Sequence, residues 1–185
     1  VEDSGINSSV AVYNDHSGKA LDNAIALGFG IGSSSIFKTT FEKEVHSDLF
    51  GERSVLMGLI QSVFKAQYDI LRENGHSKSE AYNETVEEAL VSLYPLVNEK
   101  GMDWMFANCS TTAQRGALDW WKPYYDVIKP EMKKCYQSVV DGTETKKVIS
   151  VNSDSNYREN LNKELDEIKS QELWQVAEEM RKYRI

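Results

Sequence analysis

Apolar residues recur at helical spacing over most of this chain, and one short stretch near its start instead alternates as a strand does. Residues 8–14, with the sequence SSVAVYN, alternate apolar and polar side chains and include β-branched valines. No other stretch shows this pattern, and a lone strand leaves its backbone hydrogen bonds unpaired. We therefore predict that residues 8–14 form the last strand of a preceding sheet domain.

The helical pattern begins at Lys19 and first predicts a short helix over residues 19–27. A glycine cluster follows at Gly28, Gly30 and Gly32. A dinucleotide-binding fingerprint requires the spacing GxGxxG between a strand and a helix, whereas this cluster follows a helix and has a different spacing. We interpret the cluster as a helix terminator and a site of close packing.

A longer helix is predicted over residues 44–74, and Gly75 stands at a helix-ending position. The apolar residues of this helix cover a broad side, which predicts that the helix is buried. They are Leu49, Leu56, Leu59, Ile60, Val63, Phe64, Ile70 and Leu71.

Helix boundary signals continue downstream. Ser77 and Glu80 have the spacing of a capping box, and the helix they open runs until Pro95 bends or ends it. A further helix is predicted over residues 102–107. Ser110 or Thr111 is then in place to cap the helix that follows.

The last third of the chain is predicted to contain helices separated by prolines and a loop. Pro123 and Pro130 punctuate a helix that ends at Gly142, and the polar residues 143–155 are expected to form a loop. Residues 157–183 carry apolar side chains at helical spacing and should pack one face against the rest. The predicted class is all-α with one short N-terminal strand.

Composition limits the function classes. A chain of 185 residues can bury one substantial core, and its net charge of −8 disfavours nucleic acid and anionic membranes as partners. No apolar run is long enough to cross a bilayer. Cys109 and Cys135 form no CxxC unit, which favours an intracellular location. The start at Val1, without Met, suggests a fragment or a processed product.

Two acidic pairs at helical spacing are the main candidates for chemistry. Asp48 and Glu52, and likewise Glu84 and Glu88, are four residues apart, so each pair can direct two carboxylates to one side of a helix. Like charges this close favour a cation between them, and oxygen ligands suit Mg²⁺ better than Zn²⁺. The alternatives are a helix start that complements the dipole and a solvated acidic face.

Four blocks of sequence resemble one enzyme family. They are Gly5–Ser9, Ser47–Arg53, Ala81–Glu88 and Asn108–Ala113, and they stand in the family's order. On these blocks the chain is similar, from about Gly5 to Arg184, to the C-terminal domain of ketol-acid reductoisomerase. The resemblance is to the short form of the enzyme found in fungal mitochondria.

The resemblance implies a helical, knotted-type domain over residues 18–185, with residues 1–17 as the end of an N-terminal NADPH-binding domain. It implies that Asp48, Glu52, Glu84 and Glu88 bind two Mg²⁺ ions, with Asp48 bridging them. Glu84, Glu88 and Ser110 are implied to contact substrate. The resemblance further implies that Asp48, Glu52 and Glu88 are the catalytic residues. NADPH is implied to bind to the N-terminal domain.

The implied reaction is alkyl migration in 2-acetolactate or 2-aceto-2-hydroxybutyrate, followed by reduction with NADPH to a 2,3-dihydroxy acid. These are steps of valine, leucine and isoleucine biosynthesis. The resemblance also implies a homodimer with intertwined helices, and a mitochondrial location in a eukaryote. The 185 residues alone are expected to be inactive. The competing hypothesis is a non-catalytic, all-α acidic module for dimerisation or interaction.

Overall fold

The computed structural model describes residues 5–183, which divide into two compact units, with the division along the chain between Arg53 and Ser54. The first unit contains β1 Ser8–Val10, α1 Ala20–Gly30, β2 Ile36–Lys38 and α2 Phe41–Gly51. The second contains α3 Gly58–Glu73, α4 Lys78–Tyr82, α5 Tyr94–Lys100, α6 Met102–Asn108, α7 Thr111–Val140, α8 Thr143–Asn152, α9 Tyr157–Lys169 and α10 Glu172–Arg181. Two π-helical segments complete the fold, Glu52–Leu56 and Asn83–Leu93. The predicted all-α class with a minor strand component is confirmed.

The first unit is built around a small parallel sheet. β1 pairs with β2 in the register Ser8 to Ile36 and Val10 to Lys38, and α1 connects the two strands. Parallel strands need such a crossover connection, usually a helix. The prediction that the chain holds no partner for the first strand was therefore wrong. β2 escaped detection because three residues are too short to show an alternating pattern. The first four residues of the predicted segment 1–17 lie outside the described range.

The glycine cluster ends α1 and packs closely, as predicted. Gly28 is the buried residue of this helix, and a Cβ atom placed there would lie 2.7 Å from Ile36 Cδ1. Gly32 adopts φ = +84°, a left-handed backbone angle that favours glycine. The cluster thus allows α1 to lie against β2.

The predicted continuous helix over residues 44–74 is interrupted. α2 begins after Thr40, whose side chain accepts a hydrogen bond from Lys43 N, and ends at Gly51. Within the π-helical turn that follows, Ser54 leaves helical geometry with φ = −100° and ψ = −121°. α3 resumes at Gly58. Glycine weakens a helix interior by about 1 kcal/mol relative to alanine, which favours a break between Gly51 and Gly58.

The core of the second unit joins α3, α4, the second π-helical segment and α10. Its buried residues are Phe64, Tyr68, Ala81, Tyr82, Val86, Leu173, Val176 and Ala177. The predicted full burial of the long helix is wrong for Leu56, Val63 and Ile70, which are exposed. Similarly, Leu165 and Ile168 of the C-terminal region are exposed although Ala177 is buried.

α7 is continuous over 30 residues, with Pro123 and Pro130 inside it. The sequence predicted that these prolines punctuate the helix, but the chain stays helical through both. The loop predicted over residues 143–155 is mostly wrong as well, because α8 occupies Thr143–Asn152. The composition of α8 is too polar to show an apolar stripe, and so no helical period was visible.

A charged cluster fastens α10 to α3 and α4. Glu172, at the first position of α10, accepts hydrogen bonds of 2.8 Å from both Tyr68 Oη and Arg72 Nε, and Lys78 Nζ lies 3.3 Å from its other carboxylate oxygen. The Arg72 hydrogen bond and then the Tyr68 hydrogen bond lower the pKa of Glu172 to about 2. Burial is the main reason that the pKa of Tyr68 is raised.

Replacing Glu172 by Gln should destabilise the protein at neutral pH. Because the pKa of this group is depressed on folding, its contribution is present above pH 4.5 and is lost as the pH falls towards 2. The carboxylate is partly exposed, so solvent screening limits the expected loss to about 1–2 kcal/mol. Urea unfolding at pH 7 and pH 3 should show a smaller gap between wild type and variant at pH 3. Glu178→Gln, at an exposed position of α10, is the control, and an equal gap at both pH values contradicts the assignment.

Candidate functional site

The first acidic pair lies where α2 passes into the π-helical turn. The backbone N–H of Glu52 donates to the carbonyl oxygen of Asp48, so the two residues are one α-helical turn apart. Asp48 is exposed and Glu52 is half-buried. Arg53 Nη1 lies 3.7 Å from the Glu52 carboxylate, and the same Nη1 donates to the carbonyl oxygen of Leu49 at 2.8 Å.

The second acidic pair lies on a π-helical segment, not on the α-helix that the sequence predicted. Glu84 and Glu88 are both within Asn83–Leu93, and both side chains are exposed. Residues Thr85 and Val86 between them are buried, so the opposite side of the segment faces the core. π-helical turns are rare and occur frequently at functional sites.

One amide group connects the two carboxylates of this pair. Asn83 Nδ2 lies 2.9 Å from Glu88 Oε1 and 3.4 Å from Glu84 Oε1. In addition, Gln67 Nε2 of α3 donates to the backbone carbonyl oxygen of Glu84 at 2.8 Å. The structure therefore brings Glu84 and Glu88 to the same side of the segment, as their spacing predicted, and adds two amide side chains that the sequence analysis missed.

Ser110 is the N-terminal cap of α7. Its Oγ accepts a hydrogen bond from the backbone N–H of Ala113 at 3.2 Å, which confirms the cap predicted at this position. Ser110 is exposed, and the N-terminal end of a long helix carries partial positive charge. This end of α7 is suited to an anionic group.

The donor set fits a hard divalent cation. Each acidic pair offers carboxylate oxygens, the ligands that Mg²⁺ prefers, on one side of one helical segment. Mg²⁺ takes six oxygen ligands and usually keeps several waters, so two carboxylates suffice as one part of a site. Over residues 5–183, no three His, Cys, Asp or Glu side chains are grouped to hold a metal ion. Within that range there is also no helix with the length and apolar character to cross a membrane.

The signals for the missed amides were weak. Asn83 precedes Glu84 directly, but its contact with Glu88 depends on π-helical winding, which apolar spacing does not reveal. Gln67 is far from Glu84 in sequence, and nothing in the sequence relates them. A buried side chain, Tyr68, was also omitted from the predicted apolar side of α3.

Sequence comparisons with known proteins match this chain to one enzyme family. Residues 41–185 match the family model described as ketol-acid reductoisomerase, C-terminal domain. The chain is 57% identical over 183 residues to "Ketol-acid reductoisomerase, mitochondrial" of Saccharomyces cerevisiae, covering 99% of this chain and 46% of that protein. It is 58% identical over 181 residues to "Ketol-acid reductoisomerase (NAD(+))" of Desulfosudis oleivorans, covering 98% of this chain and 51% of that protein.

The fold is likewise similar to a solved structure. An NADH-preferring ketol-acid reductoisomerase from an uncultured archaeon superposes with a TM-score of 0.85 at 27% identity, covering 99% of this chain and 55% of the other. The chain spans about half the length of the curated relatives that it matches.

Proposed function

This chain belongs to the ketol-acid reductoisomerase family through its C-terminal domain, and from that membership we propose that it supplies the Mg²⁺ and substrate site of such an enzyme. The proposed reaction converts 2-acetolactate or 2-aceto-2-hydroxybutyrate into a 2,3-dihydroxy acid, in the synthesis of branched-chain amino acids. The observation that carries the proposal is the placement of two carboxylate pairs at helical breaks or π-helical turns.

Four carboxylates are proposed to hold two Mg²⁺ ions: Asp48, Glu52, Glu84 and Glu88. When bound, the ions supply Lewis acidity that favours negative charge on substrate oxygen atoms during alkyl migration. Asp48 is proposed to bridge the ions, and Glu52 to bind beside it. Glu84 and Glu88 are each proposed to bind Mg²⁺ and also to contact substrate.

Ser110 is proposed to bind the carboxylate group of the substrate. In the cap of α7 its Oγ accepts a hydrogen bond from Ala113 N. Because a hydroxyl both donates and accepts, the O–H remains able to donate to a carboxylate oxygen. The helix dipole adds to the attraction, since anions are stabilised at helix N-termini. The capping geometry and the substrate contact are therefore compatible.

We propose a homodimer with intertwined helices, in which Asp48 and Glu52 of one subunit face Glu84, Glu88 and Ser110 of the other. The chain exposes 13970 Å². A compact protein of this mass exposes about 9,000 Å², and two separate compact units of these lengths about 11,000 Å². Large aromatic side chains of α7 contribute to the excess, including Trp120, Trp121, Tyr124 and Tyr125. An excess of this size is comparable to the interface of an obligate dimer.

The reducing nucleotide is proposed to be NADPH, bound by a part of the enzyme outside these 185 residues. Among similar proteins, one carries NAD(+) in its name, another carries NADP(+), and the solved structure is NADH-preferring, so the nucleotide varies among them. The mitochondrial relative of yeast supports the proposal of a mitochondrial location if the source is a eukaryote.

The proposed metal site predicts saturable Mg²⁺ binding by the wild-type chain. At a Mg²⁺ concentration of one hundred times Kd, linkage adds about 2.7 kcal/mol to the free energy of unfolding. For a protein of this size that corresponds to a rise in Tm of roughly 5–10 °C. Calorimetric titration measures the Kd of Mg²⁺, and thermal melting measures the rise in Tm. A non-catalytic acidic module should show only weak, unsaturable binding, and that result would contradict the proposed function.

A further inference from the structure

We infer that Asn83 is a positioning residue that holds the Glu84 and Glu88 carboxylates on one side of the π-helical segment Asn83–Leu93. The inference rests on the proposed function, because it concerns the preparation of these two groups for Mg²⁺. It assigns a role to a neutral side chain that itself needs no contact with the ion or the substrate.

The contact geometry is the first argument. The Asn83 amide nitrogen carries two hydrogens, and it lies within 2.9 Å of Glu88 Oε1 and 3.4 Å of Glu84 Oε1. Ionised carboxylates only accept hydrogen bonds, so the amide nitrogen and not its oxygen must face them. One amide group thereby contacts both carboxylates and offsets part of their mutual repulsion.

The π-helical winding is the second argument. On an α-helix, residues five apart are turned about 140° from each other, which would direct Asn83 away from Glu88. In a π-helix the backbone hydrogen bonds close from residue i to residue i+5, so such residues lie near one another along the axis. The Asn83–Glu88 contact is therefore a product of the π-helical winding of this segment.

The backbone beside the pair is held independently. Gln67 Nε2 donates to the carbonyl oxygen of Glu84 at 2.8 Å, which links the segment to α3. The buried Thr85 and Val86 fix the opposite side against the core. With its backbone fixed in this way, the orientation of the carboxylates depends mainly on their side-chain torsions, which the Asn83 amide restricts. A lysine in its place would neutralise one carboxylate, whereas an amide leaves both charges available to a cation.

The test is the Mg²⁺ affinity of Asn83→Ala, measured by calorimetry on the full 185-residue chain. Loss of a group that orients metal ligands typically weakens metal binding about 10–100-fold, and we expect a rise in Kd of at least about tenfold. Asn83→Gln keeps an amide donor and should recover part of the affinity. Asn98→Ala, an exposed position on α5, is the matched control and should bind as the wild type does.

The melting temperature without Mg²⁺ separates positioning from a structural role. It should be nearly unchanged in Asn83→Ala, while the Mg²⁺-dependent rise in Tm shrinks. Wild-type affinity in Asn83→Ala would overturn the inference and leave the proposed metal site intact. Absence of saturable binding in the wild type would instead overturn the proposed function, and the inference with it. If the Ala variant does not fold, Asn83→Gln is the variant to measure. A folded Asn83→Gln protein whose melting temperature falls by the same amount with and without Mg²⁺ contradicts a positioning role.

Discussion

Asp48→Asn is expected to remove most of the stabilisation that Mg²⁺ gives to the wild-type protein. The amide of asparagine preserves the size of the side chain but removes the charge that the proposed bridging ligand contributes to both ions. We expect Mg²⁺ affinity to fall at least about a hundredfold, so that the rise in Tm at a concentration saturating for the wild type nearly disappears.

Without metal, the same substitution should have the opposite effect on the stability of the protein. Asp48 and Glu52 are like charges one helical turn apart, and removing one of them relieves a repulsion of about 0.2–0.5 kcal/mol. Asp48→Asn should therefore be as stable as the wild type, or slightly more stable, in the presence of a chelator. Glu42→Gln, in the first turn of the same helix, removes an equal charge and serves as the control. Equal Mg²⁺ shifts in the wild type and in Asp48→Asn would refute the metal assignment.

Mixing two variants that have each lost Mg²⁺ binding is expected to restore part of that binding if the sites are shared between subunits. Asp48→Asn and Glu84→Gln each damage every site in their own homodimer. In a mixed dimer, one site receives both substitutions and the other receives neither, so one intact site forms. After random co-refolding, half of the dimers are mixed, and about a quarter of the wild-type number of sites should return with wild-type affinity.

Light scattering supplies the first control for this experiment, because the protein should have twice the monomer mass of 21.0 kDa. The second control mixes Asp48→Asn with Glu52→Gln. These two substitutions affect the same acidic pair, and the mixed dimer then has one damaged residue in each site, so no intact site forms. If the first mixture binds Mg²⁺ no better than either variant alone, both pairs come from one subunit and the shared-site proposal fails.

Local signals in the sequence predicted local structure well. The capping box of Ser77 and Glu80 forms as expected, with Ser77 Oγ accepting from Glu80 N and the Glu80 carboxylate accepting from Ser77 N. The helix predicted over residues 102–107 forms as Met102–Asn108, and of the two cap candidates Ser110 and Thr111 the cap is Ser110. In each case the determining residues are adjacent in sequence, so no tertiary contact was needed to recognise them.

Features that depend on tertiary context were missed. The strand Ile36–Lys38 is defined by its pairing with Ser8–Val10, and its three residues carry no pattern of their own. The cluster around Glu172 also depends on distant contacts, because its partner Arg72 is a hundred positions away in the chain. Apolar spacing also overestimated burial, because Leu56 and Val63 are apolar at helical positions yet exposed in one chain. Spacing identifies an apolar side, but not whether that side is covered.

The acidic pairs were identified correctly as neighbours, but the geometry that joins the second pair was not foreseen. Four-residue spacing was interpreted as one turn of an α-helix, which holds for Asp48 and Glu52. For Glu84 and Glu88 the backbone is π-helical. Sequence periods near 3.6 residues cannot separate the two windings over so short a stretch.

The π-helical winding of Asn83–Leu93 makes this region sensitive to the number of its residues as well as to their identity. Removing one residue from an α-helix turns everything beyond it by about 100° and shortens the axis by about 1.5 Å. Here such a deletion would also tend to convert the segment towards α-helical winding, and Asn83 would lose its position beside Glu88. Substitutions at exposed positions such as Leu90 and Val91 should be tolerated far better than any change in length between Glu84 and Glu88. Among related sequences, alignment gaps should therefore avoid this stretch even where the residues themselves vary.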